Sequence, residues 1–366
     1  MLVTGAAGGV GRRVVEQLAA DATVDAVIAL DVTAMPRGFD PTRVEFHRAS
    51  VATAPLEDLL GGVSCIIHLA FASDTERRVR ASELTNVEGT RRLLAAASAA
   101  GVEQIVLMSS AIVYGAWPNN PVPLIEDAAI RPNPDFAYAL QQAQREQLAV
   151  DWRDDGVGGS SARGSGDGDG DRGGERALAV LRPCLGLGPD RSPWLARSLA
   201  AAAGVRLAED DPPQQFLHLD DLAEAIGVAR RQRLDGVYNV APDGWVRGET
   251  VRELAVARPR LRLPGAVAHL VARARWRFQR GPIPPGLLPY TSYPWVVAND
   301  RMKAAGWRPR HTSEQAYVAG TEAKWWTLLT PSRKQELALG AAGTGIAAIA
   351  AVTGLLIRRA VRRARL

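Results

Sequence analysis

Short apolar runs alternate with amphipathic stretches through the first half of the chain. Leu2 to Thr4 reads as a strand, a glycine-rich turn follows, and Arg12 to Ala20 has the apolar spacing of an amphipathic helix. Ala26 to Leu30 is an unbroken apolar run that ends at Asp31, the pattern of a parallel strand covered on both faces. Ser64 to Ala70 repeats it, a helix is predicted from Asn86 to Ala100, and Gln104–Met108 and Leu178–Leu181 are further strands. Later, Phe216 to Asp221 precedes a helix that reaches about Arg231, and Gly236–Val240 is again a strand. Strands alternating with helices predict βαβ units: an α/β fold with a Rossmann-like, doubly wound parallel sheet.

Two segments break the rhythm. Residues 153–176 are dominated by Gly, Ser, Asp and Arg without apolar periodicity, so a disordered insertion is expected there. From Arg258 to Ser313 prolines and arginines are dense and the elements short, which marks the substrate-facing part. The expected organisation is an NAD-binding Rossmann domain over 1–245, a smaller substrate-facing region over 246–330 that completes the fold, an apolar helix at 337–357 and a basic tail at 358–366.

Leu337 to Ile357 contains no charged residue and, at about 1.5 Å per residue, is long enough to cross a hydrocarbon core of about 30 Å. A transmembrane helix is therefore expected, and its Ala- and Gly-rich composition keeps open a helix lying in the membrane interface or packed on protein. Trp325 and Trp326 just upstream suit either an interfacial anchor or ordinary packing. Arg358, Arg359, Arg362, Arg363 and Arg365 follow the apolar run, and such clusters favour the cytoplasmic side. No signal peptide precedes the first strand, and that strand is short enough to suggest an upstream start. The expected location is the cytoplasmic face of a membrane, anchored through the C-terminus.

Charge and composition narrow the function. The net charge is +5, and the terminal arginines account for it, so nucleic-acid binding is not expected. Only Cys65 and Cys184 are present, which fits a reducing compartment. The five histidines are scattered and no pair has metal-ligand spacing, so no metal site is expected. The only lysines are Lys303, Lys324 and Lys334.

The turn Thr4-Gly5-Ala6-Ala7-Gly8-Gly9-Val10-Gly11 carries the first chemistry. Glycines there permit a tight turn and close approach of a pyrophosphate, and the helix N-terminus beyond favours an anion. Asp31, about 20 residues beyond Gly11 at a strand end, suits the adenosine ribose hydroxyls and would repel a 2′-phosphate, so NAD is expected rather than NADP.

In their order and spacing the motifs resemble extended short-chain dehydrogenase/reductases of the NAD-dependent epimerase/dehydratase group. The resemblance rests on Gly5-x-x-Gly8-x-x-Gly11, His68-Leu69-Ala70, Asn86-Val87-x-Gly89-Thr90, Ser109 to Gly115, Leu181-Arg182-Pro183 and His218-Leu219-Asp220-Asp221, covering residues 1 to about 245. It implies cofactor contacts at Gly5, Gly8, Gly9, Val10, Gly11, Asp31, Ser50, Val51, Leu69, Ala70, Asn86, Tyr138, Gln142, Arg182 and Pro183, a small-molecule substrate, and pairing into a homodimer through helices flanking Tyr138.

It also implies chemistry by a Ser and a Tyr-x-x-x-Lys. Ser110 matches the serine and Tyr138 the tyrosine, but Gln142 stands at the lysine position. Glutamine can hydrogen-bond a ribose hydroxyl yet carries no charge, and an unassisted tyrosine titrates near about 10. Arg145, three residues on and near the same helix face, is the one candidate for the missing charge. Two readings stay open: an NAD-dependent oxidoreductase or epimerase acting on a hydroxyl or carbonyl, with the membrane segment favouring a lipophilic substrate, and an NAD-binding sensor or scaffold with little redox chemistry.

Three smaller features refine this. Ser50 stands where relatives commonly carry an adenine-contacting Asp. No Asn follows Arg182-Pro183, which leaves a sugar nucleotide unsupported, and Arg182 is either an anion contact or an ion-paired residue. Asp220 or Asp221 is expected to cap the following helix, with His218 bracing the sheet edge.

Overall fold

The computed structural model describes residues 1–34, 38–72, 78–161, 176–188, 212–254 and 284–320, with scattered positions between 195 and 278. Met1–Thr321 forms one compact unit. Its centre is a seven-stranded parallel sheet of β1 (Leu2–Thr4), β2 (Val27–Asp31), β3 (Val44–Arg48), β4 (Cys65–His68), β5 (Gln104–Met108), β6 (Ala177–Pro183) and β10 (Gly236–Val240). The order across the sheet is β10-β6-β5-β4-β1-β2-β3, so the winding reverses between β1 and β4. In open parallel sheets the crevice for a ligand opens beyond the carboxyl ends of the strands at such a reversal.

The period-two geometry of a strand explains how one apolar run serves two cores. Val3, Ile67, Val106, Ala179 and Leu181 point to one face, where they meet Val14, Val15 and Leu18 of α1 (Gly9–Ala20) and Leu222 and Ile226 of a later helix. Leu2, Ile66, Ile105, Leu107, Leu178 and Val180 point to the other, against Leu93 and Leu94. Each fully buried Leu or Ile contributes about 1.5–3 kcal/mol, so the central strands hold the fold chiefly by this double coverage. The edge strand β3 is exposed at Glu45 and Arg48 and has only one strand neighbour.

The short helix α2 (Leu56–Leu59) precedes β4. Between β4 and β5 lie α3 (Val79–Glu83), a π-turn at Leu84–Glu88, and α4 (Gly89–Ala99). After β5 a 3₁₀ turn, Ala111–Tyr114, leads towards α5 (Ala137–Ser161). This helix takes in the first part of the insertion expected at 153–176. The helix runs on to Ser161, and at the far end Arg176 donates to the Trp152 carbonyl at 2.6 Å with its guanidinium 4.9 Å from the Trp152 ring. Contacts remote in sequence thus hold both ends of the polar segment; residues 162–175 lie outside the described residues.

Beyond β6, β7 (Leu185–Leu187) pairs in parallel with β9 (Phe216–His218), and β8 (Val205–Arg206) with β11 (Leu261–Arg262). Helix α6 (Leu219–Arg231) follows β9 directly. Its cap differs from expectation: the His218 ring accepts from the Asp220 amide at 3.3 Å. Asp220 pairs with Arg13, and Asp221 accepts from the His311 amide at 3.0 Å, so both acids are drawn away from the helix end by partners remote in sequence. They still sit in the first turn, with Arg230 and Arg231 in the last, complementing the helix dipole. The segment after 284 packs back on this frame: the Leu124 amide donates to the Val296 carbonyl at 2.8 Å, and the Trp307 indole to the Asp221 carbonyl at 3.1 Å. The expected membrane helix at 337–357 and the basic tail at 358–366 lie outside the described residues; among the described residues no helix is long and apolar enough to cross a membrane.

Candidate active site

The glycine turn sits at the carboxyl end of β1. Gly5 has φ +72°, and a Cβ there would come within 2.8 Å of the Ala70 amide nitrogen. A Cβ at Gly11 would lie 2.0 Å from the Gly5 carbonyl oxygen, so α1 can start this close to the turn only without a side chain. Gly8 and Gly9 are exposed. The bond from the Arg12 amide to the Gly8 carbonyl, 2.9 Å, leaves the amides of Gly9, Val10 and Gly11 ahead of it, aimed out of the helix end. There is no acid in that first turn to satisfy them.

Asp31 closes the turn from β2. One carboxylate oxygen accepts from the Ala7 amide at 3.0 Å, the other from Thr33 at 2.8 Å. Each oxygen retains a second lone pair for a ribose hydroxyl. Open helix amides beside a carboxylate at the winding reversal fit a dinucleotide: Gly8 to Gly11 would hold its pyrophosphate and Asp31 its ribose. Ser50 turns inward on its own loop, accepting from the Ala52 amide at 3.2 Å, and the Val51 side chain is buried in the second core.

Leu69 and Ala70 continue β4 under the turn. The Leu69 amide donates to the Thr4 carbonyl at 3.1 Å, and that of Ala70 to the Thr4 hydroxyl at 3.2 Å. Asn86, in the π-turn, holds the same loop from the other side. It accepts from the Ala72 amide at 2.7 Å and donates to the Ala72 carbonyl at 3.1 Å and to Gln141 at 2.8 Å. With all these groups engaged inside the protein, Asn86 shapes the pocket wall.

Ser110, Tyr138 and Gln142 do come together. Ser110 caps the 3₁₀ turn after β5, and the Tyr138 phenol hydrogen-bonds both Ser110 and Gln142. Tyr138 is half-buried between Phe71, at 4.9 Å edge to face, and Phe136, stacked at 5.8 Å. Burial in this aromatic slot raises its pKa above the usual tyrosine value, while Gln142, Arg145 and Ser110 oppose the rise.

Below them the buried face of α5 is polar. Gln141, Gln142, Arg145 and Glu146 are all buried, at the helical three-four spacing. Arg145 is fully buried and, among the described residues, bonded to neutral acceptors: Gln142 Oε1 at 2.8 Å, the Thr90 hydroxyl at 3.1 Å, and the carbonyls of Ala70 at 3.2 Å and Met108 at 3.4 Å. Its guanidinium lies 5.2 Å from the Phe71 ring centre, and burial lowers its pKa to about 10. Thr90 donates to the Asn86 carbonyl, so it accepts from Arg145 and from His68 Nε2 at 2.9 Å. The other nitrogen of His68 pairs with the Thr4 hydroxyl at 2.7 Å. Burial first, then Arg145, holds the His68 pKa well below its usual value.

Arg182 takes the second of the two readings left open for it, that of an ion-paired residue. Its Nη2 lies 2.6 Å from Glu146, its Nε donates to the same carboxylate at 3.1 Å, and its Nη1 donates to the Tyr114 hydroxyl at 2.8 Å. Ser109 also donates to Glu146. A guanidinium only 4% exposed and already matched to a carboxylate has nothing left for a ligand. Pro183, next along β6, is buried in strand pairing with Val240. The site roles not anticipated from sequence are those of Thr90, Gln141 and Glu146; the signal for Gln141 and Glu146 was the recurrence of polar residues along α5, while Thr90 stood in the Asn86-Val87-x-Gly89-Thr90 motif of α4. Among the described residues no group of His, Cys, Asp and Glu is arranged to hold a metal.

Comparison with known proteins agrees with this geometry. A model of the NAD dependent epimerase/dehydratase family matches residues 1–241. An uncharacterized protein of Mycobacterium tuberculosis (strain ATCC 25618 / H37Rv) is 27% identical over 326 residues, 87% of this chain and 82% of its own. A dTDP-glucose 4,6-dehydratase of Streptomyces griseus is 32% identical over 162 residues, 41% of this chain and 48% of that one. The UDP-glucose 4-epimerase of Thermus thermophilus, solved in complex with NAD, shares the fold at TM-score 0.63 and 22% identity, over 87% of this chain and 96% of its own.

Proposed function

The chain belongs to the NAD dependent epimerase/dehydratase family, and from that premise we propose that it is an NAD-dependent oxidoreductase of the epimerase or dehydratase kind, acting on a sugar hydroxyl carried by a nucleotide. The observation that carries the reading is the meeting of Ser110 and Tyr138 at the carboxyl end of β5, on the sheet edge where the Gly5–Gly11 turn opens. The nucleotide-sugar class is drawn from relatives named as a dTDP-glucose 4,6-dehydratase and UDP-glucose 4-epimerases. It outweighs the missing Asn after Pro183, because the argument for a lipophilic substrate rests on residues 337–357 alone.

Bound NAD supplies a two-electron acceptor for the hydride of a substrate carbinol. The chain's own residues do the rest. The amides of Gly9 to Gly11 hold the diphosphate, and Asp31 selects the ribose without a 2′-phosphate. Ser110 orients the substrate oxygen by a hydrogen bond, and the Tyr138 oxygen takes its proton during oxidation and returns it on reduction. Phe71 and Phe136 exclude water from the phenol.

The test is turnover by the purified full chain with NAD and UDP-glucose, UDP-galactose or dTDP-glucose, followed by NMR of the anomeric proton. Interconversion or loss of the starting sugar, abolished in Tyr138→Phe, is the expected result. Tight NAD binding with no change in any of the sugars would overturn it in favour of an NAD-binding sensor or scaffold, the reading that Gln142 favours. Attachment to the cytoplasmic face of a membrane through Leu337–Ile357 and the arginines beyond is proposed alongside. A chain ending at residue 336 should then leave the membrane fraction.

A further inference from the structure

Among the described residues, the buried seam along α5 brings together two guanidiniums, one of them from β6, and one carboxylate. Arg182 and Glu146 neutralise each other at 2.6 Å. His68, between the hydroxyls of Thr4 and Thr90, adds no positive charge near neutral pH, since burial and then Arg145 hold its pKa well below the usual value. Arg145 therefore remains as a buried positive charge whose four bonds all go to neutral oxygens. A cation held in so low a dielectric, with no anion bonded to it among the described residues, stabilises any negative charge that forms within a few ångströms.

Among the described residues, the hydrogen-bonded route from Arg145 to the reacting groups runs through Gln142. Its Oε1 accepts from Arg145 Nη1 at 2.8 Å, and its amide also bonds the Tyr138 phenol. We propose that Arg145, acting through Gln142, does the electrostatic work of the family's lysine: Arg145 fixes the amide with its oxygen inward, and the amide N–H is delivered to the Tyr138 oxygen as that oxygen gains charge. Arg145 is thus a positioning and polarising residue that does not touch substrate, and it makes Tyr-x-x-x-Gln-x-x-Arg a working site. The proposal rests on the function assigned above but concerns only the ionisation of Tyr138.

Among the described residues the groups facing the phenol are few. Ser110 approaches from the end of β5, Gln142 and Arg145 from its own helix, and the uncharged rings of Phe71 and Phe136 from the flanking loops. Glu146 lies one step further along the seam, compensated by Arg182. Arg145 is held from three other sides by Thr90, Ala70 and Met108, so altering Gln142 removes the connection and leaves the charge in place.

The experiment is a titration of ¹³C-labelled tyrosine in the full-length protein by NMR, with the Tyr138 signal assigned from its loss in Tyr138→Phe. No substrate or turnover is needed, so a failure here is distinguishable from a failure of the proposed reaction. Arg145→Met and Gln142→Met are each expected to raise the Tyr138 pKa by about one unit, a tenfold loss of phenolate at a given pH. Gln142→Lys should lower it. If activity is present, the rising limb of its pH profile should move by the same amount in each variant. Should Arg145→Met fail to fold, Gln142→Met decides alone. An unchanged Tyr138 titration in folded Gln142→Met or Arg145→Met overturns the proposal, because a purely structural role for the pair would leave the phenol unaffected.

Discussion

The glycine turn and the polar seam of α5 lie at the same carboxyl edge of one sheet, and they hold their geometry by opposite means. At the turn the work is done by backbone amides and by the absence of side chains: Gly5 and Gly11 are required because the turn's carbonyls and the Ala70 strand pass where a Cβ would stand. In the seam it is done by long side chains, each bonded to groups brought from other parts of the chain. Thr90 comes from α4, Ser109 from the end of β5 and Arg182 from β6. A backbone cradle tolerates no added atom, whereas a buried polar network tolerates no lost partner. The two guanidiniums of that network show how far context decides: Arg182 is spent on its own carboxylate, and among the described residues Arg145 is bonded to neutral oxygens.

Removing a partner from the seam should have the largest effect. Glu146→Ala leaves Arg182 buried and unpaired, and is expected to cost about 3–5 kcal/mol of stability in urea unfolding. Replacing both partners, Glu146→Leu with Arg182→Met, should regain most of it; a double variant as unstable as the single would show that the pair itself, and not its charge balance, holds the helix. At the turn, Gly11→Ala should cost about 1–3 kcal/mol by overpacking against the Gly5 carbonyl, and should abolish NAD binding measured by calorimetry while the seam stays folded. Equal NAD affinity in that variant would mean that the turn is not the cradle.

Asp31→Ala keeps the turn and removes two acceptor oxygens. NAD affinity is expected to fall at least tenfold, about 1.4 kcal/mol, and the preference over NADP to weaken. The smallest effect concerns His68, the link between the two regions. Its folded pKa is depressed by burial, so its contribution is fully present above its unfolded value of about 6.5 and is lost as pH falls below that. Stability should drop by about 1 kcal/mol between about pH 7 and about pH 5.5, and His68→Gln should flatten that part of the profile. An equally steep fall in the variant would assign it to other groups, His218 among them.

Much of the sheet was legible from the chain alone because each central strand is a continuous apolar run bounded by turns, and β1, β2, β4, β5, β6 and β10 all follow from that pattern. The glycine turn and Asp31 were legible too, since a backbone cradle depends on residues close in sequence. Helix α5 was not. Its inward face is Gln141, Gln142, Arg145 and Glu146, so the apolar periodicity that announces a helix is missing, and its polar C-terminal part resembles an insertion until Trp152 meets Arg176.

What the sequence by itself determined is therefore the doubly wound sheet, the nucleotide turn, and the presence of Gln142 at the lysine position. Only the tertiary structure decided what that glutamine means. Whether Arg182 or Arg145 carries free charge depends on where Glu146 points, whether His68 is charged depends on its burial and on Arg145, and whether Gln142 can serve Tyr138 depends on which end of its amide Arg145 holds. Each of these is a choice among partners far apart in the chain, made in a low-dielectric interior where one ångström and one hydrogen bond separate a structural ion pair from an electrostatic catalyst.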